Sequence, residues 1–399
     1  MTDLHFKGAF VSNRLIVIVT IIPLSEFLFH HFGVSALQAH GFEVEVWDCS
    51  EVFFPRVRHN AQIIRHHFSG LRLYQERTRL NEDLNHLRRT DIVIPWVSFA
   101  RGYLWFFRGL AKTPAKIAVP IANPIPTSTP AFRLSKASRL IKLLKNPGNF
   151  IARLLDAVVG RLPVQVLGVR CADFLLLIGG NLTLQVGKRF LGKSTLLVWT
   201  HASDYDVILA QKLKSEIPKQ IVFIDEYLPL HPDFELLNLP CPAQASTYYP
   251  VMKAVFEKLE EIHGLPVAIA AHPKADCKFL TKAFGGRVVQ KGITANLIAS
   301  SAFVIAHAST AINYAIILEK PVLILTTKEV QKSFFQKTII DVAQAINTEV
   351  RLAEDLHVFA AYEPSVQKSK YETYFSNLIK NPTSPNVAIW DTISDVFLL

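Results

Sequence analysis

The chain has 399 residues, of which half are hydrophobic and 19% are charged. This composition supplies large buried cores and excludes an intrinsically disordered protein. The formal net charge of +10 favours an anionic partner such as a nucleotide, a phosphorylated lipid or an anionic glycan.

Strand and helix patterns alternate through the front half, which predicts a parallel sheet covered by helices on both faces. The predicted strands span residues 14–22, 43–48, 91–97, 116–120, 173–178 and 195–200. The predicted helices span about 24–40, 59–88, 99–112, 134–144, 148–160 and 205–215. The apolar run at 15–24 is interpreted as the first strand, because no small-residue cleavage site follows it. No transmembrane helix is predicted.

The back half repeats this alternation. Its predicted strands span 220–224, 266–271, 286–289, 302–306 and 321–325. Its predicted helices span 248–263, 275–283, 294–300 and 310–318, with one or two more after residue 364. The pattern breaks near 215–219, so we expect two Rossmann-like, doubly wound α/β domains, 1–217 and 218–399, facing a cleft in a GT-B-like architecture.

Polar residues follow three successive strands of the back half. Asp225 and Glu226 come directly after the strand at 220–224, and His272-Pro273-Lys274 follows the strand at 266–271. Carboxyl ends of parallel strands share one edge of a sheet, where ligands bind. A carboxylate there could remove a proton from a sugar hydroxyl or attack an anomeric carbon, and a histidine could assist a leaving phosphate. The alternatives are a capping acid and a histidine bonded to nearby backbone.

Ser309 and Thr310 open the third junction, where a strand gives way to a helix. Free backbone N–H groups, two hydroxyls and the helix dipole predict a phosphate site, although plain helix capping uses the same geometry. Asn313 lies one turn into the helix and is expected to face the ligand, and His307 is interpreted as structural. His231, also followed by proline, is a further candidate for substrate binding.

The front half ends with a comparable junction, His201-Ala-Ser-Asp204-Tyr-Asp206, after the strand at 195–200. We interpret His201, Asp204 and Asp206 as candidates for substrate contact. The alternative is a helix start whose acids favour the dipole.

A basic segment precedes this junction and is interleaved with leucines. Such a helix could contact an anionic membrane surface, or it could be an ordinary solvated face. No nucleic-acid-reading motif, no metal-ligand spacing, no Walker A run and no Gly-x-Gly-x-x-Gly occurs, so we expect no nucleic-acid partner and no metal. The cations of the segment are Arg133, Lys136, Arg139, Lys142, Lys145 and Arg153.

The order of acid pair, His-Pro and Ser-Thr resembles the bacterial sialyltransferases and Kdo transferases, which use CMP-activated ulosonic acids. In that family a motif of two acids and a glycine supplies the catalytic carboxylate, a His-Pro motif assists the leaving CMP phosphate, and a Ser-Ser or Ser-Thr motif holds it. The matching residues are Asp225 and Glu226, His272 and Pro273, and Ser309 and Thr310. The resemblance covers roughly 220–327. The family's glycine is replaced by Tyr227, which leaves open which acid reacts.

The resemblance implies a cytoplasmic glycosyltransferase, working at the inner face of the membrane, that moves Kdo, sialic acid or a related nonulosonate from CMP to a glycan or lipid-linked oligosaccharide. It implies a role in lipopolysaccharide or capsule synthesis, with no cofactor. The back domain would hold the donor and the front domain the acceptor. Two other interpretations stay open: a polyol-phosphate transferase that uses CDP-glycerol, and a non-catalytic glycan-binding module of the same fold.

Overall fold

The computed structural model describes residues 14–55, 57, 64–122, 126, 159–160, 162–236 and 239–399. The predicted helix at 134–144, most of the one at 148–160 and all six cations of the basic segment lie outside these residues. Among the described residues, no helix combines the length and the apolar composition that a membrane crossing requires.

A seven-stranded parallel sheet forms the front domain, in the order β3-β2-β1-β4-β5-β6-β7. Its strands are nearly continuous apolar runs because helices cover both faces; residues 16–20 of β1, for example, are all buried. The strands are β1 Leu15–Thr20, β2 Glu43–Asp48, β3 Leu71–Leu73, β4 Ile92–Trp96, β5 Lys116–Ala122, β6 Phe174–Ile178 and β7 Leu196–Thr200.

A six-stranded parallel sheet forms the back domain, in the order β10-β9-β8-β11-β12-β13. The chain enters this sheet at β8, in the middle, and adds β9 and β10 on one side. It then crosses to the other side of β8 and adds β11, β12 and β13. This reversal creates a crevice beyond the carboxyl ends of β8 and β11. The strands are β8 Gln220–Ile224, β9 Val267–Ala271, β10 Val289–Lys291, β11 Ser301–Ala306, β12 Val322–Thr326 and β13 Val350–Leu352.

Helices cover both sheets. Those before β8 are Glu26–His31, Val34–Ala39, Ser50–Phe53, Arg77–His86, Leu104–Leu110, Asn181–Gly187 and Ser203–Gln211. Those after β8 are Pro232–Leu236, Ala245–His263, Cys277–Ala283, Thr294–Ala299, Ile312–Ile317, Lys328–Gln331, Gln336–Ile346, Lys368–Tyr374 and Ile389–Leu398. Shorter 3₁₀ or π turns span Arg101–Tyr103, Val164–Leu167, Lys188–Phe190, Leu356–Phe359 and Phe375–Ile379.

The predicted helix at 59–88 is wrong over much of its length. Residues 71–73 form β3, which pairs in parallel with Val46–Asp48 of β2, and only Arg77–His86 is helical in the later part. Pairing with a neighbouring strand overrides a local helical pattern in a segment this short.

The single helix predicted at 24–40 is divided in two by Gly33. This residue has φ 63°, in the left-handed region that favours glycine. A Cβ atom at this position would lie 2.1 Å from Cγ of Trp390, so the indole ring also requires a residue without a side chain.

The helix Ile389–Leu398 packs against the front sheet, far from its neighbours in sequence. Its Ile389, Trp390, Ile393 and Phe397 belong to one buried cluster with residues of β1 and β6. The chain therefore leaves the front domain after β7 and returns before residue 389. The two crossings lie side by side, because His201 and Lys380 form an antiparallel bridge and the Ala202 N–H donates to the Ile379 carbonyl over 2.7 Å.

Candidate active site

The three polar junctions of the back domain lie at the carboxyl ends of three adjacent strands. His272 follows β9, Asp225 and Glu226 follow β8, and the turn at 307–311 follows β11. They therefore converge on the crevice where the strand order reverses.

Asp225 is almost fully buried, with 2% of its surface exposed. The Tyr227 N–H donates to its Oδ1 over 3.1 Å. Its Oδ2 has no hydrogen-bond partner among the described residues. Burial raises the pKa of this carboxyl to about 7, although the Tyr227 hydrogen bond lowers it in part. Asp225 can therefore take up a proton near neutral pH through an oxygen to which none of the described residues is bonded.

Tyr227 has φ 55°, in the left-handed region that favours glycine. It occupies the position where the resembled motif has glycine. The backbone here turns as a glycine would allow, and this turn aims the Tyr227 N–H at Asp225. A tyrosine in this conformation carries backbone strain that a glycine would not. The backbone after the acid pair nevertheless has a conformation that a glycine at this position would also adopt.

Glu226 turns away from Asp225 and points to the junction after β11. Its Oε1 accepts a hydrogen bond from the Ala308 N–H over 2.7 Å. Burial raises its pKa to about 7, the charge of Asp225 adds to this rise, and backbone N–H groups at 307–309 oppose it. N–H groups that the sequence assigned to a phosphate therefore already hold a carboxylate of the protein.

Ser309 and Thr310 lie in this turn, between β11 and the next helix. Ser309 is half-buried and its Oγ accepts from the Ala311 N–H over 3.2 Å, whereas Thr310 is exposed. The helix predicted to begin at Thr310 instead begins at Ile312, so both residues belong to the turn before it. The hydroxyls of these two residues, rather than the N-terminus of a long helix, would form the polar lining of the crevice.

The two His-Pro histidines meet, although 41 residues separate them in sequence. The Nε2 atoms of His231 and His272 lie 3.3 Å apart. The Lys274 N–H donates to His272 Nδ1 over 3.1 Å, so the proton of a neutral His272 lies on Nε2 and points to His231. Pro273 and Lys274 are exposed beside the pair.

Sequence reasoning missed Lys291, at the end of β10. Its Nζ donates to the carbonyls of Pro273 and Ala275 over 3.2 and 3.1 Å. It therefore holds the turn that presents His272 and adds a positive charge beside it. The predicted strand ends at residue 289, two residues before Lys291, so no pattern in the sequence marks this lysine.

His307 lies beneath the site and is fully buried. Its Nε2 accepts from the Tyr248 hydroxyl over 2.7 Å, and its Nδ1–H donates to the Leu325 carbonyl over 2.8 Å. Burial lowers its pKa to about 4, so the ring is neutral at physiological pH and both nitrogens are satisfied. These contacts fix the turn after β11 from below.

We expect Tyr248→Phe to lower the free energy of unfolding by about 1–3 kcal/mol, because His307 Nε2 would lose its donor in a site without water access. Thermal or urea unfolding measures this change. An unchanged stability would contradict the assigned hydrogen bond.

In the front domain, His201 is fully buried. Its Nε2 lies 2.9 Å from Asp206 Oδ1, and the same oxygen accepts from the Ile389 N–H over 3.2 Å. In this structure the two residues hold the start of the returning C-terminal helix, and His201 presents no surface to a ligand.

Asp204 joins the two domains. Asn313 Nδ2 donates to its Oδ2 over 2.8 Å. Burial raises its pKa to about 6, and hydrogen bonds from Asn313 and Tyr314 lower it in part. Asp204 lies four residues beyond β7 and Asn313 seven beyond β11. The bond therefore brings the carboxyl edges of the two sheets together across a cleft.

Among the described residues, no group of three or more His, Cys, Asp or Glu side chains could hold a metal ion.

Several solved structures resemble this fold. A variant of the wall teichoic acid polymerase TagF has a TM-score of 0.51 and 8% identity, over 97% of this chain and 88% of its own. MurG from Acinetobacter baumannii has a TM-score of 0.43 and 9% identity, over 97% of this chain and 99% of its own. The UDP-GlcNAc 2-epimerase of Methanocaldococcus jannaschii has a TM-score of 0.43 and 11% identity, over 97% of this chain and 100% of its own.

No protein-family model matches the chain, and no curated protein matches its sequence. The fold is nevertheless defined by the two doubly wound parallel sheets and by the likeness to TagF along nearly the whole chain. The chain has a two-domain, Rossmann-like GT-B fold.

Proposed function

We propose that the protein is a glycosyltransferase that moves a 2-keto sugar acid, such as Kdo, sialic acid or a related nonulosonate, from CMP to a surface-glycan acceptor. One observation carries this proposal: Asp225 is a buried carboxyl with a raised pKa, and one of its oxygens has no partner in the part of the chain that the structure describes. It lies between His272 and the Ser309 turn, at the strand ends where the fold binds ligands.

In the proposed reaction the acceptor hydroxyl attacks the anomeric carbon of the donor sugar. Asp225 takes the hydroxyl proton as the new C–O bond forms. The bond between the sugar and the CMP phosphate breaks, and CMP leaves with the electron pair. The Nε2–H of His272, which points to His231 in the free protein, is redirected to the departing phosphate oxygen, and the hydroxyls of Ser309 and Thr310 bind the same phosphate.

The positive charge around the phosphate supports this assignment. Lys274 and Lys291 flank the turn that carries His272. Both cations would offset the negative charge that the donor brings to a crevice already containing Asp225 and Glu226.

A second candidate is a polyol-phosphate transferase that uses CDP-glycerol. The pairing of His231 with His272 favours it, because transfer at phosphorus requires charge stabilisation and a base more than it requires a carboxylate. The likeness to a wall teichoic acid polymerase is consistent with this candidate. Both candidates use a cytidine nucleotide and differ in the group transferred.

A thermal-shift panel with CMP, CDP, UMP, UDP and GDP tests the nucleotide. We expect selective stabilisation by CMP, because a ligand at a hundredfold excess over its Kd adds about 2.7 kcal/mol to the free energy of unfolding. A preference for UDP or GDP would contradict a cytidine donor. The absence of any response would favour the non-catalytic glycan-binding module.

The transferred group is tested by incubating the protein with CMP-Kdo, CMP-sialic acid or CDP-glycerol and glycan acceptors. We expect release of CMP from one of the CMP-sugars. Turnover of CDP-glycerol alone would replace the first candidate with the second.

A further inference from the structure

Asp225 Oδ2 and the Tyr249 hydroxyl are among the buried polar atoms of the back domain that have no hydrogen-bond partner in the described part of the chain; His263 Nε2 and Glu354 Oε2 are others. Only 2% of Asp225 and 4% of Tyr249 is exposed. Buried polar groups are nearly always paired with protein, water or ligand. Two orphaned atoms in one neighbourhood therefore indicate a place that an additional group occupies.

The fold places these two residues at the same edge of the back sheet. Tyr249 lies near the start of the helix Ala245–His263, which follows β8 and leads to β9. Its first turns therefore lie at the carboxyl edge of the sheet, where Asp225 follows β8. The two are close enough that, after burial, the charge of Asp225 is the largest cause raising the pKa of the Tyr249 phenol.

The Tyr249 ring is held by aromatic neighbours. Its centroid lies 5.4, 5.5 and 5.1 Å from those of Tyr248, Phe279 and Phe284, all in edge-to-face contact. Such packing fixes the direction of the hydroxyl. The adjacent Tyr248 differs in one respect, because its hydroxyl is bonded to His307.

We propose that Asp225 Oδ2 and the Tyr249 hydroxyl together bind one alcohol group of the substrate. An alcohol donates one hydrogen bond and accepts others, so its O–H can donate to Asp225 while its oxygen accepts from Tyr249. A phosphate or carboxylate would be repelled by ionised Asp225. The inference rests on the proposed function, in which this alcohol is the reacting hydroxyl of the acceptor.

In this arrangement Tyr249 orients the acceptor oxygen through one lone pair and leaves another for attack. Asp225 receives the proton, and Tyr249 keeps its own throughout. Tyr249 therefore binds the acceptor substrate and makes no contact with CMP.

Paired Tyr249→Phe and Tyr248→Phe variants test the proposal. For Tyr249→Phe we expect an unchanged unfolding temperature, an unchanged thermal shift with CMP, and a kcat/KM for the acceptor about tenfold lower, as for loss of one hydrogen bond. Tyr248→Phe should instead lower the unfolding temperature. Full transfer activity in Tyr249→Phe, or a destabilisation equal to that of Tyr248→Phe, would overturn the proposal.

A readout independent of activity separates this proposal from the proposed function. Crystal structures without substrate should contain an ordered water within hydrogen-bond distance of both atoms in the wild type, and none there in Tyr249→Phe. If the wild type transfers nothing and responds to no nucleotide, the proposed function fails, yet this water would still support an alcohol site. A wild-type structure without it would overturn the site.

Discussion

Replacing Asp225 by asparagine is expected to reduce transfer by at least a hundredfold and, at pH 8, to make the protein more stable. A positioned general base contributes about 10²- to 10⁴-fold to a rate. Asparagine has the same shape, can still accept from the Tyr227 N–H and cannot take a proton. Binding of CMP should change little, because Asp225 acts on the acceptor. Steady-state turnover and CMP titration measure the two effects.

The gain in stability follows from the pKa of Asp225, which folding raises to about 7. An unfolded aspartic acid has a pKa near 3.9. Between these values the folded state holds more protons than the unfolded state, so the free energy of unfolding falls as pH rises, and it levels off above about 7. The Asp225→Asn variant does not lose this part of the free energy of unfolding, because asparagine does not titrate. The variant should be more stable by roughly 1–4 kcal/mol at pH 8, with the difference shrinking toward pH 5.

A change at the neighbouring acid, Glu226, is the matched control for Asp225→Asn. Glu226→Gln keeps an oxygen that can accept from the Ala308 N–H, so the turn after β11 should persist and transfer should fall less than in Asp225→Asn. If Glu226→Gln loses more activity than Asp225→Asn, the roles of the two acids are reversed. The wild-type kcat/KM should also rise with pH through about 7, as the base loses its proton.

Replacing His272 by alanine is expected to weaken CMP binding and to slow transfer by about 10²- to 10³-fold, the usual cost of removing one donor to a developing negative charge. The variant removes the Nε2–H donor and leaves His231 without its 3.3 Å neighbour. Both the Kd of CMP and kcat should change, whereas Asp225→Asn should change kcat alone. Calorimetric titration and turnover separate these outcomes.

His86→Ala is the control for His272→Ala. His86 is exposed at the end of the helix Arg77–His86, which leads to the amino end of β4 and thus to the edge opposite the cleft. It should leave CMP affinity and turnover unchanged. If His272→Ala behaves like this control, the histidine has no part in binding the donor phosphate.

The sequence predicted the strands of both sheets well, because strands covered on both faces appear as uninterrupted apolar runs. The strand at 220–224 has the predicted bounds. The exceptions are β13, which was not predicted, and β3; each is three residues at a sheet edge, and β3 has two exposed side chains. Its Leu-Arg-Leu segment has no apolar run, and only its pairing with β2 makes it a strand.

The sequence could also predict that the acid pair, His272 and the Ser309 turn share one edge, because their strands follow the order of a doubly wound sheet. It could not predict contacts that depend on side-chain direction in space. The Glu226 bond to Ala308 spans 82 residues and the Asp204 bond to Asn313 spans 109. The first bond depends on side-chain direction within the back domain and the second on how the two domains pack, and no local pattern encodes either.

The side-by-side crossings at His201 and Lys380 limit how the domains can move. A β-bridge joins the two segments, so any relative rotation of the domains would have its axis close to this bridge. His201 lies next to that axis and would hardly move, whereas β3, at the opposite edge of the seven-stranded sheet from β7, would travel farthest. Such a rotation would change the width of the cleft most on the β3 side, while the Asp204–Asn313 contact near the bridge holds the two carboxyl edges together.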